Sequence, residues 1–123
     1  MRTDNIIQQK SFDFALNVIS AYKILSAEKK EFVMSKQLLR SGTSVGANIE
    51  EAIGAQSDRD FFSKITIAYK EIRETVYWIK LLLHSNYLDE KEGTELLRNA
   101  DEIARIIGSI QKTLKTKLGI ASS

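Results

Sequence analysis

The sequence predicts an all-α protein that folds as an antiparallel up-down-up-down four-helix bundle. The 123 residues include no proline, the residue that most strongly breaks or kinks the interior of a helix. Apolar residues recur at spacings of three and four throughout, whereas the alternation typical of β-strands is missing. Short connections separate the helical segments, and short connections favour antiparallel neighbours. A chain of this length predicts a single domain over residues 1–123.

The first helix is predicted to end near Ala27, where the charged residues 28–31 form a hinge. Its apolar residues fall on two neighbouring stripes. One stripe consists of Phe12, Ala15, Ile19 and Tyr22, and the other contains Phe14, Val18 and Leu25. This wide apolar face fits a broad core contact, and it leaves open that one stripe covers a contact between subunits.

The second helix is predicted to run from about Glu31 to Gln56. Its expected inner positions are Leu38, Gly42, Val45, Ile49 and Ala52. Gly42 and Gly46 lie one turn apart, and each glycine costs a helix about 1 kcal/mol relative to alanine. We therefore expect another helix to approach the backbone closely at these two positions. Asn48 is a poor helix former, which favours a structural role such as a hydrogen bond to a neighbouring helix.

Capping residues mark the starts of the third and fourth helices. Ser57 is followed three residues later by Asp60, and Asp89 is followed three residues later by Glu92. Residues 84–87 interrupt the apolar pattern between them. The expected inner stripe of the third helix is Ile65, Ala68, Ile72, Val76, Ile79 and Leu83. The expected inner stripe of the fourth helix is Leu96, Ala100, Ile103, Ile107, Ile110 and Leu114.

Composition excludes several classes of site and location. The absence of cysteine excludes disulfides, thiolate metal sites and cysteine nucleophiles, and it agrees with a reducing compartment. The first residues mix acids and amides where a signal peptide needs an apolar core, and no window approaches the roughly 20 apolar residues of a membrane span. We expect a cytoplasmic protein without a membrane partner.

No catalytic, metal or cofactor site can be assembled from the residue types present. His84 is the single histidine and lacks a glutamate three residues earlier, which excludes the di-iron pattern of helical bundles. No lysine follows Gly46 as in a phosphate-binding Walker sequence. Glu71 and Glu74 are expected to form exposed ion pairs with Lys70 or Arg73. The sequence therefore predicts a protein that is not an enzyme.

Basic residues are the candidate binding residues. The formal net charge is only +2, but residues 103–123 carry basic side chains and no acid. This tail either complements the dipole of the last helix or meets a polyanion. We expect Arg59 and Lys64 to extend a patch formed by Lys36 and Arg40. The full set of nucleic-acid-binding candidates is Lys36, Arg40, Arg59, Lys64, Arg105, Lys112, Lys115 and Lys117.

Residues 37–82 resemble the four-helix-bundle family named for the protein encoded within intervening sequences of bacterial 23S ribosomal RNA genes. The matching positions are Gln37, Leu38, Arg40, Ser44, Asn48, Ile49, Glu50, Ser57, Asp60, Phe61, Ala68, Glu71 and Glu74. Helices one and four agree with the family only in length and periodicity.

The resemblance implies a non-enzymatic bundle that assembles as a ring, typically a homopentamer. The accessory protein of diversity-generating retroelements is similar in fold, forms such a ring, and binds nucleic acid and a reverse transcriptase. Two functions follow as hypotheses. One is the binding of structured RNA or another nucleic acid through phosphate contacts, and the other is a scaffold for a partner protein such as a reverse transcriptase.

Overall fold

The computed structural model describes the backbone of residues 2–120 and the side chains of residues 6–120. Four helices follow one another along the chain. They are α1 (Arg2–Ala27), α2 (Met34–Ile53), α3 (Asp58–His84) and α4 (Glu90–Leu118). The predicted all-α fold is confirmed.

The helices form a closed bundle in which each packs on the next and α4 returns to α1. The contact between α1 and α4 is the smallest of the four. Gln8, near the start of α1, donates a 2.9 Å hydrogen bond to Glu50, near the end of α2. Lys117, near the end of α4, lies 3.0 Å from Asp58 at the start of α3. Neighbouring helices are therefore antiparallel, as the short connections predict.

The starts of α3 and α4 follow the predicted caps. The Ser57 hydroxyl accepts a 3.1 Å hydrogen bond from the backbone N–H of Asp60. The Asp89 carboxylate accepts a 2.7 Å bond from the N–H of Glu92. Each side chain satisfies one of the N–H groups that a helix leaves unpaired at its first turn.

The second helix is shorter at both ends than predicted, because Glu31 caps it instead of joining it. The buried Glu31 carboxylate accepts hydrogen bonds from the N–H groups of Val33, Met34 and Ser35, the last at 2.7 Å. At the other end the helix stops at Ile53, since the chain must become extended to place Ser57 as the cap of α3.

The core runs along the length of the bundle, and it uses a narrower face of α1 than the broad core contact that the sequence favoured. The buried apolar residues of α1 are Ile7, Phe14, Val18, Ala21 and Leu25. The other predicted stripe faces outward, with Phe12 58% exposed and Ala15, Ile19 and Tyr22 half-buried.

The predicted inner positions of α2 are all buried. In α3, Thr75 and Leu82 are buried where Val76 and Leu83 were expected, and in α4 Ile110 is only half-buried. The hydroxyls of Thr75 and Ser41 lie 2.9 Å apart within the α2–α3 contact. Over residues 2–120, none of the helices combines the length with the apolarity that a membrane crossing needs.

Candidate nucleic-acid interface

The predicted basic patch on α2 and α3 does not form. Lys36 and Arg40 lie near the start of α2, whereas Arg59 and Lys64 lie in the first turns of α3, beyond the end of α2. Arg40 contacts α3 at Glu71, which is twelve residues after Arg59 and hence about 18 Å further along the helix. A helix-to-helix turn reverses the chain, so residues close to it do not meet residues at the far end of α2.

Arg40 links α2 to α3 and is occupied by acidic partners. Its guanidinium pairs with Glu71 at 3.3 Å and with Glu74, and its Nε donates to Gln37 at 3.1 Å. Glu74 also accepts a 2.8 Å hydrogen bond from the indole N–H of Trp78. We call these five residues the α2–α3 clasp. Glu71 and Glu74 were expected to pair with Lys70 or Arg73, but both pair with Arg40 of the neighbouring helix instead.

The glycines of α2 lie directly against α1. A Cβ atom at Gly42 would stand 2.8 Å from Cγ2 of Val18, which is closer than packed atoms approach. At Gly46 the nearest atom would be the backbone oxygen of Ser11, at 3.4 Å. Asn48 departs from the expected bond to another helix, because its amide donates to the Ser44 carbonyl of α2 itself at 2.9 Å.

Two further candidates form ion pairs at the end of the bundle where α2 ends and α3 begins. Lys64 lies 3.1 Å from Glu51, and Lys117 lies 3.0 Å from Asp58. Arg59 is exposed and Lys115 half-buried at the same end. Both ion pairs are open to solvent, so each contributes less than about 1 kcal/mol.

Four exposed cations follow one edge of α4 at intervals of seven residues. They are Lys91, Arg98, Arg105 and Lys112, which we call the α4 stripe. Seven residues rise about 10 Å and turn the helix by about 20° less than two full turns, so the stripe runs along one face for about 32 Å. None of the four forms an ion pair with a side chain of residues 6–120.

The outer face of α3 adds cations beside this stripe. Arg73 and Lys80 lie with Tyr69 and Tyr77 along a groove between α3 and α4, and Arg105 of the stripe lines its other wall. We call it the α3–α4 groove. Sequence reasoning found Arg105 and Lys112 but missed Arg73 and Lys80 of α3 and the first half of the stripe. The spacing of seven, and the alternation of Tyr69, Arg73 and Tyr77 at intervals of four, were the signals that could have identified them.

The histidine and the acidic residues are the side chains that a metal site of this chain would use. His84 is exposed in the last turn of α3, where a basic side chain suits the helix dipole. Over the part of the chain that the structure describes, no group of His, Asp and Glu side chains is arranged to hold a metal ion.

The fold and its exposed basic face define a small all-α bundle with a cationic side formed by α3 and α4. Residues 3–109 match the family described as 23S rRNA-intervening sequence protein. The chain belongs to this family.

A solved structure supports the assignment. It is a protein of unknown function from the S23 ribosomal protein family of Bacteroides thetaiotaomicron VPI-5482, 47% identical in sequence with a TM-score of 0.87. The alignment covers 89% of this chain and 98% of that one. None of the curated proteins compared with this chain matches it.

Proposed function

We propose that this protein is a non-enzymatic, homo-oligomeric bundle that binds structured RNA through phosphate contacts. The observation that carries the proposal is the α4 stripe of exposed cations, of which Arg105 lines the α3–α4 groove together with Arg73 and Lys80 of α3. Cations that are not neutralised by neighbouring carboxylates are free to replace the counterions of a polyanion. Asp101 is the one carboxylate in the groove between them.

The arrangement favours affinity over base recognition. Phosphate contacts fix how a protein sits on a nucleic acid but carry no sequence information. Recognition of structured RNA then depends on the shape of its backbone. Each phosphate that is neutralised adds roughly 0.7 to 0.9 to the slope of log affinity against log salt.

Self-association would repeat the cationic face. The outer surface of α1 exposes Phe12 and Leu16, the latter by 49%, beside the half-buried Ile19. Apolar side chains clustered on an outer face favour a contact between subunits. A ring of five copies, the assembly that the family resemblance implies, would raise the net charge of +2 per chain to about +10.

A protein-interaction scaffold is the second candidate. The connection between α1 and α2 exposes Phe32 and Val33, the second by 75%. A partner protein such as a reverse transcriptase would cover these side chains. In that case the loss of cations from the α4 stripe would leave partner capture unchanged.

The test measures RNA binding and particle mass together. Light scattering of the full chain, with and without total ribosomal RNA over a salt series, gives the number of subunits and the salt dependence of the complex. We expect an oligomer whose RNA complex dissociates as salt rises. An oligomer indifferent to RNA at low salt and micromolar concentration would overturn the RNA proposal and favour the scaffold.

A matched pair of double variants locates the contact. Arg98→Gln with Arg105→Gln removes two charges from the α4 stripe and should lower the salt slope by about 1 to 2. Lys23→Gln with Lys29→Gln removes the same charge from exposed positions on the α1 side and should change it little. Equal losses in both variants would show that net charge, and not the stripe, supplies the affinity.

A further inference from the structure

The α3–α4 groove combines aromatic rings with cations on an otherwise solvent-exposed surface. Tyr69, Arg73 and Tyr77 are contributed by successive turns of α3, and Arg105 and Gly108 by the facing turns of α4. The space between the helices measures about 620 Å³, which lies within the range of small-molecule sites. The groove is therefore large enough for one nucleotide.

The ring of Tyr77 is both exposed and held in place. The residue is 54% exposed, and its ring meets that of Trp78 edge to face, with centroids 5.2 Å apart and planes at 67°. Trp78 is fixed in turn by its hydrogen bond to Glu74 in the α2–α3 clasp. A ring ordered before binding loses little conformational entropy when a ligand stacks on it.

Cations line the same groove as the two tyrosine rings. The Arg73 guanidinium lies 5.9 Å from the centre of the Tyr69 ring and donates to the Tyr69 hydroxyl at 3.4 Å. Lys80 and Arg105 complete the set, against the single carboxylate of Asp101. The groove thus places positive charge beside an aromatic face, and proteins that bind single-stranded nucleic acids use these two features together.

Gly108 keeps the groove open without being required by packing. A Cβ atom there would have only Cε1 of Tyr69 within 4 Å, at 3.7 Å, an ordinary contact. A glycine in the interior of a 29-residue helix lowers stability relative to alanine. No close contact with another helix requires a glycine at position 108. What the glycine does provide is the open space beside Tyr69.

We propose that the α3–α4 groove binds an unpaired nucleotide of an RNA segment, with its base stacked on Tyr77 and its phosphates held by Arg73, Lys80 and Arg105. This inference rests on the proposed RNA-binding function and narrows it to unpaired bases. In a duplex the bases already stack on one another, so they are not available to the tyrosine. The groove therefore discriminates single strands from duplexes, which the phosphate contacts alone do not.

The experiment compares a fluorescein-labelled 12-nucleotide oligouridylate with an RNA duplex of the same length, both titrated with the full chain. Tyr77→Leu keeps the apolar bulk but removes the ring, and should weaken binding of the single strand about tenfold. Tyr77→Phe keeps the ring and should bind like the unaltered chain. Gly108→Leu fills the groove without changing any charge, and should weaken the single strand while leaving the duplex unchanged.

The single tryptophan of the chain gives a second readout. Because the Trp78 ring lies against that of Tyr77, a base stacked on Tyr77 should quench the fluorescence of the unaltered chain with oligouridylate, but not that of Gly108→Leu. Thermal melts of each variant verify the fold, and Tyr77→Leu serves alone if Gly108→Leu fails to fold.

The outcomes separate this inference from the broader function. Equal effects of Tyr77→Leu on both RNAs, or none on either, would overturn the groove as a site for unpaired bases while RNA binding stands. Absence of binding to both RNAs by the unaltered chain at low salt would overturn both proposals.

Discussion

Two helix contacts of this bundle contain a glycine in the middle of a helix, and they differ in what the glycine does. At Gly42 in the α1–α2 contact, an added Cβ atom would meet Val18 at 2.8 Å. At Gly108 in the α3–α4 contact, the nearest atom would be a ring carbon of Tyr69 at 3.7 Å. The first glycine allows two helices to close on each other, and the second leaves a groove.

The facing residues account for the difference. Val18 is completely buried and Ser11 nearly so, and both are small enough for α1 to settle on the backbone of α2. Tyr69 is large and half-buried, and its ring stands beside Gly108 at the rim of the groove. Gly42 therefore allows close packing because its neighbours on α1 are small, whereas Gly108 leaves open space because its neighbour on α3 is a large side chain at the rim of the groove.

The largest expected effects test whether the groove is confined to the surface. Ile72 and Ile107 are both completely buried, and Ile107 lies next to Gly108. Ile72→Ala and Ile107→Ala should each lower the free energy of unfolding by about 2 to 5 kcal/mol, measured by urea denaturation. A much smaller loss at Ile107 would show that the groove admits water to the core, and that the α3–α4 contact is open below its rim as well.

Substitution by leucine should cost much more stability in one contact than in the other. Gly42→Leu forces a large side chain into Val18 and should lower the free energy of unfolding by about 3 kcal/mol, the upper part of the usual range for overpacking. Gly108→Leu places its side chain in open space and should change that energy by less than about 1 kcal/mol. Denaturant melts of the two variants side by side measure this difference. Similar losses would contradict the distinction between a closed and an open contact.

Much of the fold could be predicted because its signals are local. Ser57 and Asp89 cap the next few residues of the chain, so their function is readable from spacing alone. The start of α2 was misplaced because Glu31 is a good helix former whose carboxylate instead accepts hydrogen bonds from the turn that follows. The sequence left open which stripe of α1 is buried because both stripes are apolar, and only the position of the other helices decides between them.

The candidate site was less predictable because its residues come together across helices. Arg40 had the right charge for a phosphate contact, but its partners Glu71 and Glu74 lie more than thirty residues away in the chain. The α3–α4 groove pairs Tyr69 with Gly108 in the same way. A list of cations along one sequence cannot show which of them face carboxylates of another helix.

The α2–α3 clasp lies between the α1–α2 and α3–α4 contacts, and we expect it to contribute less to stability than the buried residues of either. The side chains of Arg40 and Glu74 are 47% and 37% exposed, so we expect their coupling in a double-mutant cycle of Arg40→Gln and Glu74→Gln to be about 1 kcal/mol. Lys117→Gln with Asp58→Asn, at an exposed pair on the end of the bundle, provides the control and should show less. The cycle should also alter the fluorescence of Trp78, which donates to Glu74. Unchanged emission would mean that the clasp does not hold the ring beside the groove.

The smallest effect has the opposite sign to the others. Gly108→Ala adds one methyl group at an ordinary contact distance from Tyr69 and removes the entropic cost of a glycine within a helix. It should raise the free energy of unfolding by about 0.5 to 1 kcal/mol. Gly42→Ala should lower it, because Val18 must move to admit even a methyl group. Thermal melts of both variants measure these changes in stability. A loss of stability in Gly108→Ala would mean that α3 and α4 are already in contact there and that no groove is open to a ligand.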